Sequence, residues 1–160
     1  MIRSLAIRRA ERRAMLGGAR RCACCWFEDV LALEAGSPVL CAACNAIIAG
    51  RSSIERHHVA GRRNGSVTID IGTNPHRILS ERQRLWPKET LENRFGSTQL
   101  RIAGHLRGFA DVLVTMIPEL PTWLHLHAQC GTELLVAVAE AFESESKVTL
   151  VSDFPQEPFQ

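Results

Sequence analysis

Two pairs of closely spaced cysteines constrain this chain of 160 residues more than any other feature. The pairs are Cys22-x-x-Cys25 and Cys41-x-x-Cys44, with 15 residues between them. At this spacing two tight turns can converge on one tetrahedral zinc ion. Because four protein ligands leave no open position for a substrate, the pattern predicts a structural zinc site.

Two further cysteines fall outside this pattern. Cys24 lies inside the first pair and is an alternative ligand to Cys22 or Cys25, whereas Cys130 lies far along the chain in a predicted helix. We expect both to be spare. A redox role for the pairs is disfavoured, because redox chemistry has no use for the second pair.

Composition restricts the class of protein. Apolar residues make up 46% of the chain and charged residues 22%, which are ordinary values for a globular protein. The chain contains no run of about 18 apolar residues, so the sequence predicts no membrane span. Its first residues also lack the apolar stretch of a secretory signal. We therefore expect an intracellular, cytoplasmic protein whose reduced cysteines bind metal rather than form disulfides.

The first 21 residues are locally basic, although the net charge of the whole chain is only +2. They contain seven arginines and one acidic residue, Glu11. Arginines neutralise phosphates, so nucleic acid is one partner that fits this segment. A solvated amphipathic helix and an organellar transit peptide are the alternatives.

Periodicity and turn residues predict an α+β chain in four segments. Residues 1–20 are a basic helical arm, 21–90 a zinc-knuckle and hairpin-helix domain, 91–142 a helical extension and 143–160 a flexible tail. Leucine, valine and alanine at helical spacing in the extension predict a packing or dimerisation layer.

The central segment reads as strand, turn, strand and helix. The first strand runs through His58, Val59 and Ala60, and Asn64-Gly65 marks the turn. A strand with alternating apolar residues follows, at positions 67, 69 and 71. Asn74-Pro75 then predicts a helix cap followed by proline at the first helical position.

Histidines in this segment give the second signal. The residues Glu55-Arg56-His57-His58-Val59 precede the turn, and His76 stands at the start of the helix. The stretch resembles HNH nucleases of the ββα-metal fold, particularly small bacterial and phage-associated members in which paired cysteines precede a Glu-x-His-His-Val-Ala-Gly-Arg segment. The resemblance extends through Gln83-Arg84-Leu85-Trp86-Pro87, so it covers roughly residues 22 to 87.

The resemblance implies a small zinc-stapled HNH core and a task for each histidine. Neighbouring residues on a strand point to opposite faces, so His57 and His58 need different tasks. The family pattern implies that His57 and His76 bind one divalent ion and that His58 is the general base that activates water. We expect Mg²⁺ or Mn²⁺, although imidazole ligands also accept Ni²⁺ or Zn²⁺.

One position departs from the family pattern. Many HNH sites carry an asparagine on the second strand that orients the base, where this chain has Val67 and Thr68. Thr68 is one substitute, and Asn64 could reach back from the turn. Asn74 is a further catalytic candidate, although it fits a helix cap better. The identity of the orienting residue stays open.

Together with these patterns, the resemblance implies a metal-dependent endonuclease or nickase that hydrolyses DNA phosphodiester bonds, and it leaves the choice between DNA and RNA open. Arg62 and Arg77 are the expected phosphate contacts. The alternative is a catalytically degenerate, zinc-containing nucleic-acid-binding module or a subunit of a nucleoprotein assembly. In either case the C-terminal helices could join a protein partner or a second copy of the chain, and no membrane partner is expected.

Overall fold

The structure, a computed structural model, describes residues 4–116 and 122–152, with side chains for residues 4–116 and 130–146. Over this range the chain is α+β, as predicted, with six helices and two small antiparallel sheets. It forms two compact units: unit 1 takes in residues up to 58 and residues 67–87, and unit 2 takes in residues 59–66 and those from 88 onward.

The first part of unit 1 surrounds the cysteine pairs. Helix α1 (Leu5–Met15) is followed by strands β1 (Leu33–Glu34) and β2 (Leu40–Cys41), which pair antiparallel, and by helix α2 (Ala42–Ile48). One small core holds three aliphatic side chains and three of the paired cysteines: Leu16, Val30, Leu33, Cys22, Cys41 and Cys44. The apolar core and the paired cysteines therefore occupy the same place.

The second part of unit 1 is a hairpin followed by a helix. Strands β3 (Ile54–His58) and β4 (Thr68–Gly72) pair antiparallel, with His58 opposite Thr68. Helix α3 (Thr73–Gln83) follows at once and packs against both strands and α2. The hairpin prediction is confirmed, but the expectation that β3 continues through Val59 and Ala60 is wrong.

Helix α3 begins earlier than the Asn74-Pro75 pattern predicts. Gly72 is the N-cap residue and makes no side-chain hydrogen bond to the helix, and Thr73 is the first helical residue. Pro75 still lies in the first turn, where its missing N–H costs little because the first N–H groups of a helix have no helical partner. The helix-cap prediction for Asn74 is wrong, since its Oδ1 accepts a hydrogen bond from the Ala43 N–H in α2 at 2.9 Å.

Unit 2 is mainly helical. Helix α4 (Lys88–Glu92) is short, and the longer helices α5 (Thr98–Met116) and α6 (Thr122–Ser152) pack against each other. Helix α6 runs on through residues 143–152, where a tail is predicted, and residues 153–160 lie outside the described residues. None of the described helices is long and apolar enough to cross a membrane.

A buried asparagine holds the 59–66 segment within unit 2. The Asn64 amide donates to the carbonyl oxygens of Ala60 at 3.0 Å and Thr90 at 2.7 Å, and its Oδ1 accepts a hydrogen bond from the Asn93 amide at 2.9 Å. Asn64, one candidate for orienting His58, is thus bonded to backbone and side-chain partners in unit 2.

Two glycines one turn apart let α5 lie against this segment. A Cβ added at Gly108 would stand 2.0 Å from the Val59 carbonyl oxygen, and one at Gly104 would stand 2.8 Å from the Asn64 amide nitrogen. Backbone cannot move aside as a flexible side chain can, so no residue with a Cβ fits position 108 without separating the helix from residue 59.

We therefore expect Gly108→Ala to lower the free energy of unfolding by about 3 kcal/mol or more, at the upper end of the cost of overpacking. Gly131→Ala is the matched control, because Gly131 is also helical and nothing lies within 4 Å of its added Cβ. Alanine is the better helix former by about 1 kcal/mol, so this control should match or exceed wild type. Chemical denaturation of both variants measures the difference, and equal stabilities would contradict the packing of α5 on residue 59.

Candidate metal centres

The four paired cysteines form one cluster in unit 1. Their Sγ atoms all lie within 4.8 Å of one another, and Cys25 Sγ is 3.6 Å from Cys41 Sγ. A tetrahedral zinc ion with bonds of about 2.3 Å places its sulfurs about 3.8 Å apart. The cluster needs only a small contraction to reach that geometry, so it can hold a structural metal such as zinc.

Backbone N–H groups point at the sulfurs from both turns. The Cys24 N–H donates to Cys22 Sγ and the Cys44 N–H donates to Cys41 Sγ, each at 3.4 Å. Burial raises the pKa of Cys22, but backbone hydrogen bonds from Cys25, Cys41 and Cys24 outweigh it and lower that pKa to about 6. The turns are therefore arranged to favour a thiolate at Cys22.

Once Cys22 is a thiolate, ionisation of Cys44 is unfavourable. Burial raises the pKa of Cys44, and hydrogen bonds with the Cys25 and Cys41 thiols raise it further. A divalent cation at the centre would reverse this preference, because zinc binds thiolates and displaces their protons. The donor set and its protonation chemistry therefore fit zinc.

The two spare cysteines lie where the prediction expects. Cys24 and Cys130 are both exposed, and neither belongs to the four-cysteine cluster. The alternative in which Cys24 replaces Cys22 or Cys25 is not adopted, because both of those sulfurs lie in the cluster.

The second group of side chains lies where α3 covers the hairpin. Glu55 and His57 share one face of β3, because side chains alternate along a strand. His57 is only 3% exposed, and its ring centroid lies 5.2 Å from that of His76, with 80° between the ring planes. The structure thus brings together two histidines that are 19 positions apart in the sequence.

Glu55 approaches His76 from the strand. Its Oε2 lies 2.5 Å from His76 Nδ1, closer than in an ordinary charge-assisted hydrogen bond. This buried nitrogen nevertheless has no hydrogen-bond partner within the described part of the chain. With the carboxylate at Nδ1, Nε2 is the nitrogen of His76 that would be left for a metal ion, and this ligand role stays a prediction.

Gln83 determines which nitrogen of His57 accepts a hydrogen bond. The Gln83 Nε2 lies 2.8 Å from the His58 carbonyl oxygen and 3.1 Å from His57 Nε2. The carbonyl only accepts, so the amide nitrogen must face it, and its second hydrogen points to His57 Nε2. This nitrogen therefore presents a lone pair, and an ion bound there would take the place of the amide contact.

The protonation of His57 also suits a metal ligand. Burial, with smaller effects from His76 and His58, lowers the pKa of His57 to about 4. The ring is thus neutral near pH 7, which is the form that binds metals. Among the described residues only the cysteines form a cluster of three or more possible ligands, and binding of an ion by His57 and His76 stays a prediction.

The ladder register places His58 beside Thr68. The two residues pair directly across β3 and β4, so their side chains share one face of the hairpin. His58 Nδ1 is buried and has no hydrogen-bond partner in the described ranges. Thr68 is therefore a neighbour of His58 that makes no hydrogen bond to Nδ1, and its orienting role stays a prediction.

The other predicted site residues have different surroundings. Asn74 is buried at the contact between α3 and α2. Arg77 is half exposed and donates to Glu34 at 3.0 Å, and Arg62 is exposed in unit 2. The catalytic role of Asn74 and the phosphate contacts of both arginines stay predictions.

The basic start of the chain is partly used inside unit 1. Three arginines of α1 bond to partners there: Arg8 to Glu81, Arg9 to Asp29, and Arg12 to the Leu33 carbonyl oxygen. Arg13, Arg20 and Arg21 are exposed. Helix α1 is therefore packed on the rest of unit 1. Fewer of its arginines are available to bind phosphates than their number suggests.

Glu55 and Gln83 are the residues to which sequence reasoning assigned no role. Glu55 stands two positions before His57, which puts both on one strand face. Gln83 stands seven positions after His76, which is two turns along the same side of α3. The two-residue alternation of a strand and the seven-residue spacing of two helical turns are therefore the sequence signals that point to Glu55 and Gln83.

Comparison of the chain with protein-family models, curated proteins and solved structures finds no match.

We expect Cys44→Ser to lose bound zinc and to unfold unit 1, because structural zinc contributes folding free energy of order 10 kcal/mol. Cys24→Ser is the matched control and should retain one zinc ion per chain. Elemental analysis of purified protein and thermal unfolding measure both effects. Full zinc occupancy in Cys44→Ser would contradict the four-cysteine ligand set.

Acidification should destabilise the chain partly through His57. An unfolded histidine takes up its proton near about pH 6.5, whereas buried His57 resists protonation down to about pH 4. The contribution of neutral His57 to the free energy of unfolding is therefore fully present above the pKa of an unfolded histidine, and it is lost as the pH falls from that value toward 4. Zinc release also depends on pH, so the measurement is the difference between the unfolding free energies of wild type and His57→Gln across this range. A constant difference would contradict a neutral buried His57.

Proposed function

We propose that the chain is a metal-dependent endonuclease or nickase of the HNH type, acting on the phosphodiester bonds of DNA. One observation carries the proposal: His57 and His76, from a strand and a helix, bring their ring centroids within 5.2 Å, and the next strand residue, His58, has a buried Nδ1 without a hydrogen-bond partner among the described residues. The order of strand, turn, strand and helix, with histidines at these places, agrees with the family resemblance, which the chain departs from at Val67 and Thr68.

His57 and His76 are the proposed ligands of one divalent ion. When bound, such an ion stabilises negative charge on the scissile phosphate and on the departing oxygen. The Glu55 carboxylate lies against His76 Nδ1, and Gln83 keeps the lone pair of His57 on Nε2. Two protein ligands suffice for an ion that keeps several waters and adds a substrate phosphate to its shell.

His58 is the proposed general base. Histidine is the side chain that acts most often as a general base, so His58 is assigned the proton of a water molecule that attacks phosphorus in line with the departing oxygen. A buried side-chain nitrogen without a hydrogen-bond partner is uncommon and requires an explanation. Proton transfer at His58 supplies one.

The four-cysteine site is the proposed scaffold for this centre. Cys44 lies in α2, and the Ala43 N–H of the same helix bonds to Asn74 in the first turn of α3. His76 stands two residues beyond Asn74, so a metal that orders α2 also supports the position of His76. Zinc itself takes no part in the proposed hydrolysis, because its four protein ligands exclude a substrate.

A zinc-containing nucleic-acid-binding module is the second candidate. Two observations favour it: the Gln83 amide occupies the lone pair of His57, and Thr68 makes no hydrogen bond to His58 Nδ1. A histidine site that has lost its activity would show both features. If the chain is instead a subunit that joins a nucleoprotein assembly through α5 and α6, the His57 and His58 side chains have no catalytic role.

Plasmid nicking by the zinc-loaded protein with Mg²⁺ or Mn²⁺ tests the proposal. We expect wild type to convert supercoiled DNA to the open-circular form, and His58→Ala to slow this by about 10²- to 10⁴-fold, the contribution of a general base. His105→Ala is the matched control, since His105 lies on α5 in unit 2, and it should cut at the wild-type rate.

Zinc content and thermal unfolding must match wild type in both variants before rates are compared. Equal rates for wild type and His58→Ala would contradict the role of His58 as base. Absence of cutting by wild type, with DNA binding retained, would favour the binding module instead.

A further inference from the structure

An exposed tryptophan stands on the zinc-binding turn. Trp26 follows Cys25 directly, and its side chain is 60% exposed. Arg21, which directly precedes Cys22, holds its guanidinium carbon 3.8 Å from the centre of the Trp26 ring system. The two ends of the first cysteine turn therefore meet in one cation–π pair at the surface of unit 1.

The fold does not explain a tryptophan at this position. Its backbone has φ of 66°, in the left-handed region that disfavours bulky side chains and accepts glycine without strain. The Trp26 N–H donates to the Cys22 carbonyl at 3.1 Å, a backbone contact that glycine would make equally well. Because most of the indole is exposed, burial offers little in return for the unfavourable backbone.

We propose that Trp26 and Arg21 form a stacking platform for an unpaired base of a nucleic acid. The Arg21 guanidinium lies over one face of the indole, so a base can stack on the other indole face or on the guanidinium plane. Arg20 is exposed next to Arg21 and adds a second positive charge, against one exposed acid close in sequence, Glu28. Bases within a duplex are already stacked, so the platform selects single-stranded segments.

This inference rests on the proposed function only for the class of ligand, nucleic acid, and it requires neither hydrolysis nor the histidine site. The competing explanation is structural: the Arg21–Trp26 pair could shield the zinc thiolates from water. Replacement of Trp26 distinguishes the two, because a shield is needed for zinc retention and a stacking platform is not.

The test measures the affinity of the zinc-loaded full chain for a fluorescein-labelled single strand and for the matching duplex. Fluorescence anisotropy is recorded at constant salt without added Mg²⁺ or Mn²⁺. We expect Trp26→Gly to weaken single-strand binding at least about fivefold, the lower end of what one stacked base contributes. Duplex affinity should change less than twofold, and zinc content and thermal stability should equal or exceed those of wild type.

Phe95→Ala is the matched control, because Phe95 is an 83% exposed aromatic residue in unit 2 and should not affect binding. Unchanged single-strand affinity in Trp26→Gly, an equal loss for duplex, or loss of zinc would each overturn the inference, as would a wild type that binds no single strand. Failure of wild type to nick plasmid DNA, with the Trp26→Gly effect present, would remove the nuclease proposal and leave this inference intact.

Discussion

Four thiols held within 4.8 Å of one another are the constraint on which unit 1 depends. Hydrogen bonds from the backbone favour one thiolate, at Cys22, but burial and neighbouring thiols raise the pKa of Cys44. The apolar core around them is small, and three of the cysteines belong to it. A divalent metal that bound all four as thiolates would remove this conflict, so we expect the strands and helix around the cysteines to depend on metal binding for their order.

The cysteine cluster is connected to the histidines by the packing of α2 against α3 and by one amide hydrogen bond between these helices. Asn74 bonds to the first turn of α2, which carries Cys44, and His76 follows two positions later in α3. On the other side, the alternation of β3 turns Glu55 and His57 toward α3. The proposed catalytic ligands thus come from one strand and one helix, whose relative position depends on hairpin pairing, on helix packing and on the cysteine cluster.

The parts of this arrangement that follow from local sequence rules could be predicted. Cysteine spacing identified the four-thiol cluster, and the alternating residues of β4 identified the hairpin, although residues 59–67 connect its strands and Asn64 is buried among partners in unit 2. Other contacts could not be predicted, because they depend on tertiary geometry. Asn74 fits a helix cap by composition but bonds to another helix, and arginines that suggest a free basic arm bind acids and a carbonyl of unit 1. The strand end at His58 also depends on the neighbouring turn, where residue 59 lies against Gly108.

Anomalous diffraction from crystals of the zinc-loaded protein soaked in Mn²⁺ or Ni²⁺ would test the two-centre arrangement most directly. Data collected at the edge of each metal separate the zinc from the added ion. The predicted result is zinc among the four Sγ atoms and a second ion bonded to His57 and His76, with the Gln83 amide moved away from His57 Nε2. A second ion bound elsewhere, or a histidine site that stays empty with its Gln83 contact intact, would contradict a catalytic centre between β3 and α3.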